Sequence, residues 1–188
     1  MRRAVFFLAV LLAGTASLWT VTGGLRAFTA ESARRLAVRE APTLPPDVGL
    51  TGMDGQAARL TSLRGSPLVV DFIFTRCADI CYAMGSALEQ LRAALPQQGP
   101  GSDTRILSIS FDPRHDGPAE LRDYAGRYDA DGQQWQVAVI SDPAQLPALL
   151  AGFGITVVPL ADGGFEHNAA LHLLDASGRL VDIRDFDD

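Results

Sequence analysis

Two cysteines occur in the chain, Cys77 and Cys81, four residues apart in Thr75-Arg76-Cys77-Ala78-Asp79-Ile80-Cys81. Such a C-x-x-x-C pair can close a disulfide, exchange thiols with another protein, or hold a soft metal ion. If Cys81 lies in the first turn of a helix and Cys77 just before it, the helical rise brings their α-carbons to roughly 6 Å, within disulfide range. The same spacing lets two thiolates share one ion. A helix N-terminus and Arg76 favour the thiolates whereas Asp79 opposes them, so the residues leave the net direction open. A structural disulfide is the ordinary reading of two cysteines in an exported domain. A bond closing so small a loop removes little chain entropy, however, which points to chemistry rather than stapling.

Three histidines are the other candidate donors. His115, in Pro113-Arg114-His115-Asp116, reads as an exposed loop residue. His167 and His172 stand five apart, which puts them on opposite sheet faces if one uninterrupted strand carries both. A lone strand histidine is by default a core or surface residue. Asp112 and Asp116 suit a turn and helix capping. Met84 falls on an apolar helical face and reads as core. All sixteen basic residues are arginine, which excludes Schiff-base lysine chemistry and a P-loop lysine. A formal charge of -6 with no basic stripe argues against a nucleic-acid partner.

The elements that must position these residues follow from hydrophobic period. Residues 50–63 read as a hairpin around Met53-Asp54-Gly55. Leu68 to Phe74 is an apolar run broken only by Asp71, hence a strand buried on both faces. Ile80, Met84, Ala87, Leu88, Leu91, Ala94 and Leu95 fall at helical spacing before Pro96. Ile106 to Phe111 and Gln136 to Ile140 are further strands, followed by helices from Pro118 and over about 143–152. Phe165 to Asp175 and Arg179 to Phe186 read as two strands closing the fold as a hairpin. The succession predicts a mixed α/β sheet covered by helices, with functional loops at strand ends.

The chain from Ala4 to Leu25 carries no charge, follows Arg2 and Arg3, and is long enough to cross a bilayer as a helix. A cleaved signal peptide with a site near 13–16 is the rival, and the twin arginine hints at Tat export. Flanking arginines at both ends leave orientation undecided by charge. The expected organisation is an anchor or signal peptide over 1–28, a polar proline-containing linker over 29–48, and one domain over 49–188.

The stretches VVDFIFTRCADICYAMGSALEQL, ISFDPRHDGPAELRDYAGRY and FEHNAALHLLDASGRLV resemble, in order and spacing, the Sco family of copper-binding oxidase assembly factors, also called SenC or PrrC. The likeness covers about 49–186; it implies a structural role for His172, whose position is usually aromatic in the family, and it sets Asp112 and Asp116, similar to the family's DP-x-x-D element, close to the cysteine loop. It implies a thioredoxin-like fold with one transmembrane helix in the inner membrane and the globular domain on the periplasmic side. It also implies that Cys77, Cys81 and His167 bind copper, as Cu(I) or Cu(II). The implied role is assembly of the CuA centre of cytochrome c oxidase, with subunit II or another copper-accepting exported protein as recipient and a periplasmic copper donor. The alternative is a thiol-disulfide oxidoreductase in which Cys77 and Cys81 reduce cysteines of the CuA site or of other exported proteins, without need of His167. The chain departs from the family at Ala78 and Tyr82, where prolines are usual, and at Glu166 and Asn168, which flank the histidine in place of aspartate and a small hydroxyl residue. A closing helix, usual in the family, is not expected after the last strand.

Overall fold

The structure, a computed structural model, describes residues 2–77, 80–96, 98–161 and 163–186. Two compact units divide at Ala41 and Pro42. In the first, α1 (Arg2–Val21) has no buried residue, and its most apolar 18-residue stretch has a mean hydropathy of 2.1. Its 20 residues give a length of about 30 Å, the thickness of a hydrocarbon core. A turn leads to α2 (Ala30–Glu40), begun by a capping box in which Thr29 Oγ1 accepts from Ser32 N and the Ser32 hydroxyl accepts from Thr29 N, both at 3.0 Å. The segment read as a tether therefore contains a helix. Its alanines and arginines are good helix formers, and Glu31 pairs with Arg34 and Arg35 at one-turn spacing.

The second unit contains β1 (Gly49–Gly52), β2 (Ala57–Arg59), β3 (Leu68–Ile73), α3 (Ile80–Ala94), β4 (Arg105–Ser110), α4 (Pro118–Arg127), β5 (Trp135–Ile140), α5 (Leu146–Phe153), β6 (Val157–Pro159), β7 (Phe165–His167), β8 (Leu171–Leu174) and β9 (Leu180–Arg184). A mixed sheet runs in the order β2-β1-β5-β4-β3-β8-β9. The central β5, β4 and β3 are parallel, and antiparallel strands extend both sides. Every residue of β3 is buried, as its apolar run predicts. Ordered chain begins before Gly49, since Thr43 bridges Leu180.

Register fixes which side chains share a face. Val69, Asp71 and Ile73 lie beside Ile106, Ser108 and Ser110, while Val70 and Phe72 take the opposite face. On the first face Tyr128, at the end of α4, stacks on Trp135 with centroids 6.1 Å apart. Gly85 of α3 makes this approach possible, because a Cβ there would stand 2.4 Å from the Tyr128 ring. On the other face Phe153 of α5 packs edge-on against Phe72 at 5.0 Å and His172 at 5.4 Å. His172 is fully buried among these rings.

The run from Phe165 to Asp175 is not one strand. Its first part, β7, pairs with β6 in a separate two-stranded ladder, and its second part, β8, joins the main sheet beside β3 and forms the closing hairpin with β9. The chain breaks at Asn168-Ala169-Ala170, where the Asn168 side chain bonds to backbone outside β7. His167 and His172 consequently sit in different sheets, and the alternation argument does not relate them.

Asp71 is an exception inside the core. It is 0% exposed, neither carboxylate oxygen meets a hydrogen-bond partner of full geometry, and burial lifts its pKa from 3.8 to about 7 against a smaller opposing pull from Ser108. The folded chain thus keeps a proton that the unfolded chain gives up. Stability should fall as pH rises from about 4 to about 7, then level off, by an amount on the order of a few kcal/mol. Chemical denaturation across this range should show the fall in the wild type and its absence in Asp71→Asn; equal pH profiles would contradict it.

Candidate functional site

Between the end of β3 and Cys77, successive residues are each held. The Phe74 carbonyl accepts from Cys77 N at 3.1 Å. Buried Thr75 donates its N–H and its hydroxyl to Asp116 at 2.9 and 2.7 Å, and Asp116 also accepts from Ser110 Oγ at 2.5 Å. Arg76 Nη2 donates to Asp112 at 2.8 Å, and His115 Nδ1 lies 2.9 Å from the same carboxylate. Burial works against the charge on Asp112, but Arg76 and His115 outweigh it and hold its pKa below the usual carboxylate range. The capping role expected of these aspartates is not observed. The helix cap is Gly117, whose N–H donates to Glu120 at 3.0 Å, while both aspartate side chains secure the cysteine loop.

Cys77 is half-buried and Cys81 buried, and both are free thiols. Cys81 N in the first turn of α3 donates to Cys77 Sγ at 3.3 Å, so the helix start brings the two cysteines together as their spacing predicts. Burial, then the Cys77 sulfur beside it, pushes the Cys81 thiol well above its ordinary pKa. Ala78 and Asp79, read as altering loop shape and opposing the thiolates, lie outside the described residues. Met84 is fully buried, as read, and Tyr82 is exposed.

His167 reaches the region from β7, opposite Val157. Phe165 packs on Phe74 at 5.2 Å and on Phe111 at 5.5 Å, and the His167 ring packs on Phe111 at 5.1 Å. Arg76 Nη2 also reaches the Gly163 carbonyl at 3.4 Å. The β6–β7 ladder is thereby packed where β3 and β4 end, next to the cysteine loop. Both His167 ring nitrogens are buried without a hydrogen-bond partner, and burial holds the imidazole pKa below its usual value. A neutral ring with unspent nitrogens is suited to metal ligation, and a pair of unbridged thiols is suited to a soft ion such as Cu(I). Among the described residues, however, no three His, Cys, Asp or Glu side chains are gathered closely enough to hold a metal. The structure joins Cys77 to Cys81 and leaves His167 outside a three-donor cluster with them. The ladder partner β6 and the anchoring by Asn168 escaped the sequence reading, β6 being only three residues long.

The thiols differ in access, and burial resists ionisation of Cys81. At pH 7.5 iodoacetamide should modify Cys77 at least about tenfold faster than Cys81, as peptide mapping of partly alkylated chain would show. Equal rates, or Cys81 reacting first, would contradict this asymmetry.

The model of the SCO1/SenC family matches residues 38–188. The SCO1 protein homologue of Bacillus subtilis is 28% identical over 130 residues, which cover 68% of this chain and 66% of the homologue. The chain thus spans slightly less than two thirds of that relative's length. Among solved structures, Bradyrhizobium japonicum ScoI with copper bound is 25% identical with a TM-score of 0.67, covering 78% of this chain and 92% of that one. A SCO1/SenC family lipoprotein from Bacillus anthracis is 22% identical with a TM-score of 0.69, covering 77% and 87%, a likeness of fold. With its sheet, cysteine loop and histidine ladder described and residues 38–188 matched, the chain belongs to the SCO1/SenC family.

Proposed function

We propose that this chain is a copper carrier for oxidase assembly, in which Cys77, Cys81 and His167 hold one copper ion as cargo. On this reading α1 crosses the inner membrane and the unit from Pro42 onward works on the periplasmic side. Copper arrives from a periplasmic donor and passes to the CuA centre in subunit II of cytochrome c oxidase or to another copper-accepting exported protein. The observation that carries the reading is the half-buried His167 ring, both of whose nitrogens are closed to solvent and unsatisfied, on a ladder packed against the cysteine loop. Leaving such a group unpaired costs folding free energy, and a metal ion is a partner that would offset the cost. Copper loading would release the thiol protons, and movement of the β6–β7 ladder would bring the imidazole to the sulfurs. The copper-bound state of the Bradyrhizobium japonicum relative lends support.

A second reading draws on the asymmetry of the cysteines. In a thiol-disulfide oxidoreductase the more accessible Cys77 thiolate attacks a target disulfide and displaces one target thiolate, which takes up a proton. Cys81, after losing its proton, attacks the Cys77 sulfur of the mixed disulfide and releases the second target thiolate. Two electrons leave this chain, which ends with a Cys77–Cys81 disulfide and needs an external dithiol for its return.

Titrating the reduced full chain with Cu(I) against a competing chelator should give one equivalent of tight binding. Cys77→Ser and Cys81→Ser should abolish it, and His167→Ala should weaken it by about tenfold or more. Unchanged affinity in His167→Ala, with thiol exchange intact, would reject the carrier reading in favour of the second.

A further inference from the structure

The chain leaves the β6–β7 ladder at Asn168, and there the side chain replaces the backbone as the bonding partner. Asn168 Oδ1 accepts from Thr156 N at 2.7 Å, and Asn168 Nδ2 donates to the Gly154 carbonyl at 3.0 Å. These two groups belong to the segment that leaves α5 and enters β6. Gly154 caps that helix in a left-handed conformation at φ 66°, which favours glycine, and residues 154–156 turn the chain into the ladder. One amide therefore closes the base of the ladder from both sides, immediately after His167, whose own carbonyl accepts from Ala169 N at 3.0 Å.

We infer that Asn168 is a positioning residue for His167, fixing the imidazole to the root of the ladder so that ring and ladder move as one body toward the cysteines. The inference rests on the reading of His167 as a copper ligand. With the bridge present, β7 stays in register with β6, and the ring keeps its packing on Phe111. Without it, Gly154 O and Thr156 N lose their partner and the last ladder pair, Val157 with His167, opens at its exposed end. On this inference Asn168 acts through the strand and not by ligating the metal.

The test is a cycle on the full chain with Cu(I) as probe, comparing wild type, Asn168→Ala, His167→Ala and the double variant. Asn168→Ala should weaken Cu(I) binding by about tenfold in the wild-type background and by nothing further in the His167→Ala background. Asn168→Asp keeps the oxygen facing Thr156 N but sets a second one against the Gly154 carbonyl, so its loss should be intermediate. In the metal-free chain, amide exchange at His167 and Val157 should quicken in Asn168→Ala while the main-sheet amides keep their protection, which separates local opening from misfolding. Weakened binding in His167→Ala with wild-type affinity in Asn168→Ala would overturn the inference and leave the copper reading standing. Equal losses from Asn168→Ala in both backgrounds would also overturn it, by showing an effect that does not pass through the ring. Full affinity in His167→Ala would remove the copper reading and the inference with it.

Discussion

The carboxylate of Asp116 accepts three hydrogen bonds inside the protein, from Thr75 N, Thr75 Oγ1 and Ser110 Oγ, at a position almost closed to solvent. Two of these reach the chain two residues before Cys77, and the third ties the same aspartate to the end of the neighbouring parallel strand. The cysteine loop is therefore fixed to β4 as well as to the β3 that leads into it. Parallel pairing makes this possible, since β3 and β4 end on the same side of the sheet and their following loops meet there. Asp112 extends the same arrangement outward through Arg76, whose guanidinium also reaches the turn of the histidine ladder. The two cysteines and the histidine come from segments about ninety residues apart, and this group of charge-assisted bonds with the Phe74, Phe111 and Phe165 rings is what brings the segments together.

The region holds several groups whose burial is unfavourable as they stand. Cys81 is a thiol kept from ionising by burial, His167 an imidazole with unsatisfied nitrogens, and Asp71 a carboxylic acid without good partners beneath the same helix face. A stability-optimised core would replace such groups with apolar ones. Their retention in one domain is consistent with the proposed site, since buried polar groups left unsatisfied call for a functional explanation. The free ladder matters for the same reason. A histidine built into the seven-stranded sheet would be held by neighbours on both sides, whereas β7 has one strand partner and is secured at its root by a single amide.

Much of this was legible from residue types. The apolar run from Leu68 to Phe74, broken only by Asp71, reads correctly as a buried central strand, the helical spacing from Ile80 gives α3, and Pro118 gives the start of α4. The C-x-x-x-C spacing fixes the meeting of the thiols, because it depends only on local helical geometry. What depended on distant contacts was not legible. Local residue types read Asp112 and Asp116 as turn and cap residues, and it is the family resemblance alone that sets them near the cysteine loop, about forty residues away. Residues 165–175 look like one strand because no glycine or proline interrupts them and the switch between sheets is made by a side-chain bond to a segment twelve residues earlier. Proline and polar residues near α2 suggested extended chain, yet a capping box and ion pairs one turn apart outweigh them.

The central claim is that two sulfurs and one imidazole nitrogen meet on the same ion. X-ray absorption at the copper edge of the Cu(I)-loaded full chain, recorded beside the His167→Ala variant, tests it most directly. The account predicts two sulfur scatterers and one nitrogen scatterer in the wild type, with the imidazole's outer-shell signal lost from the variant. A two-sulfur site with no imidazole signal, the same in both proteins, would contradict it.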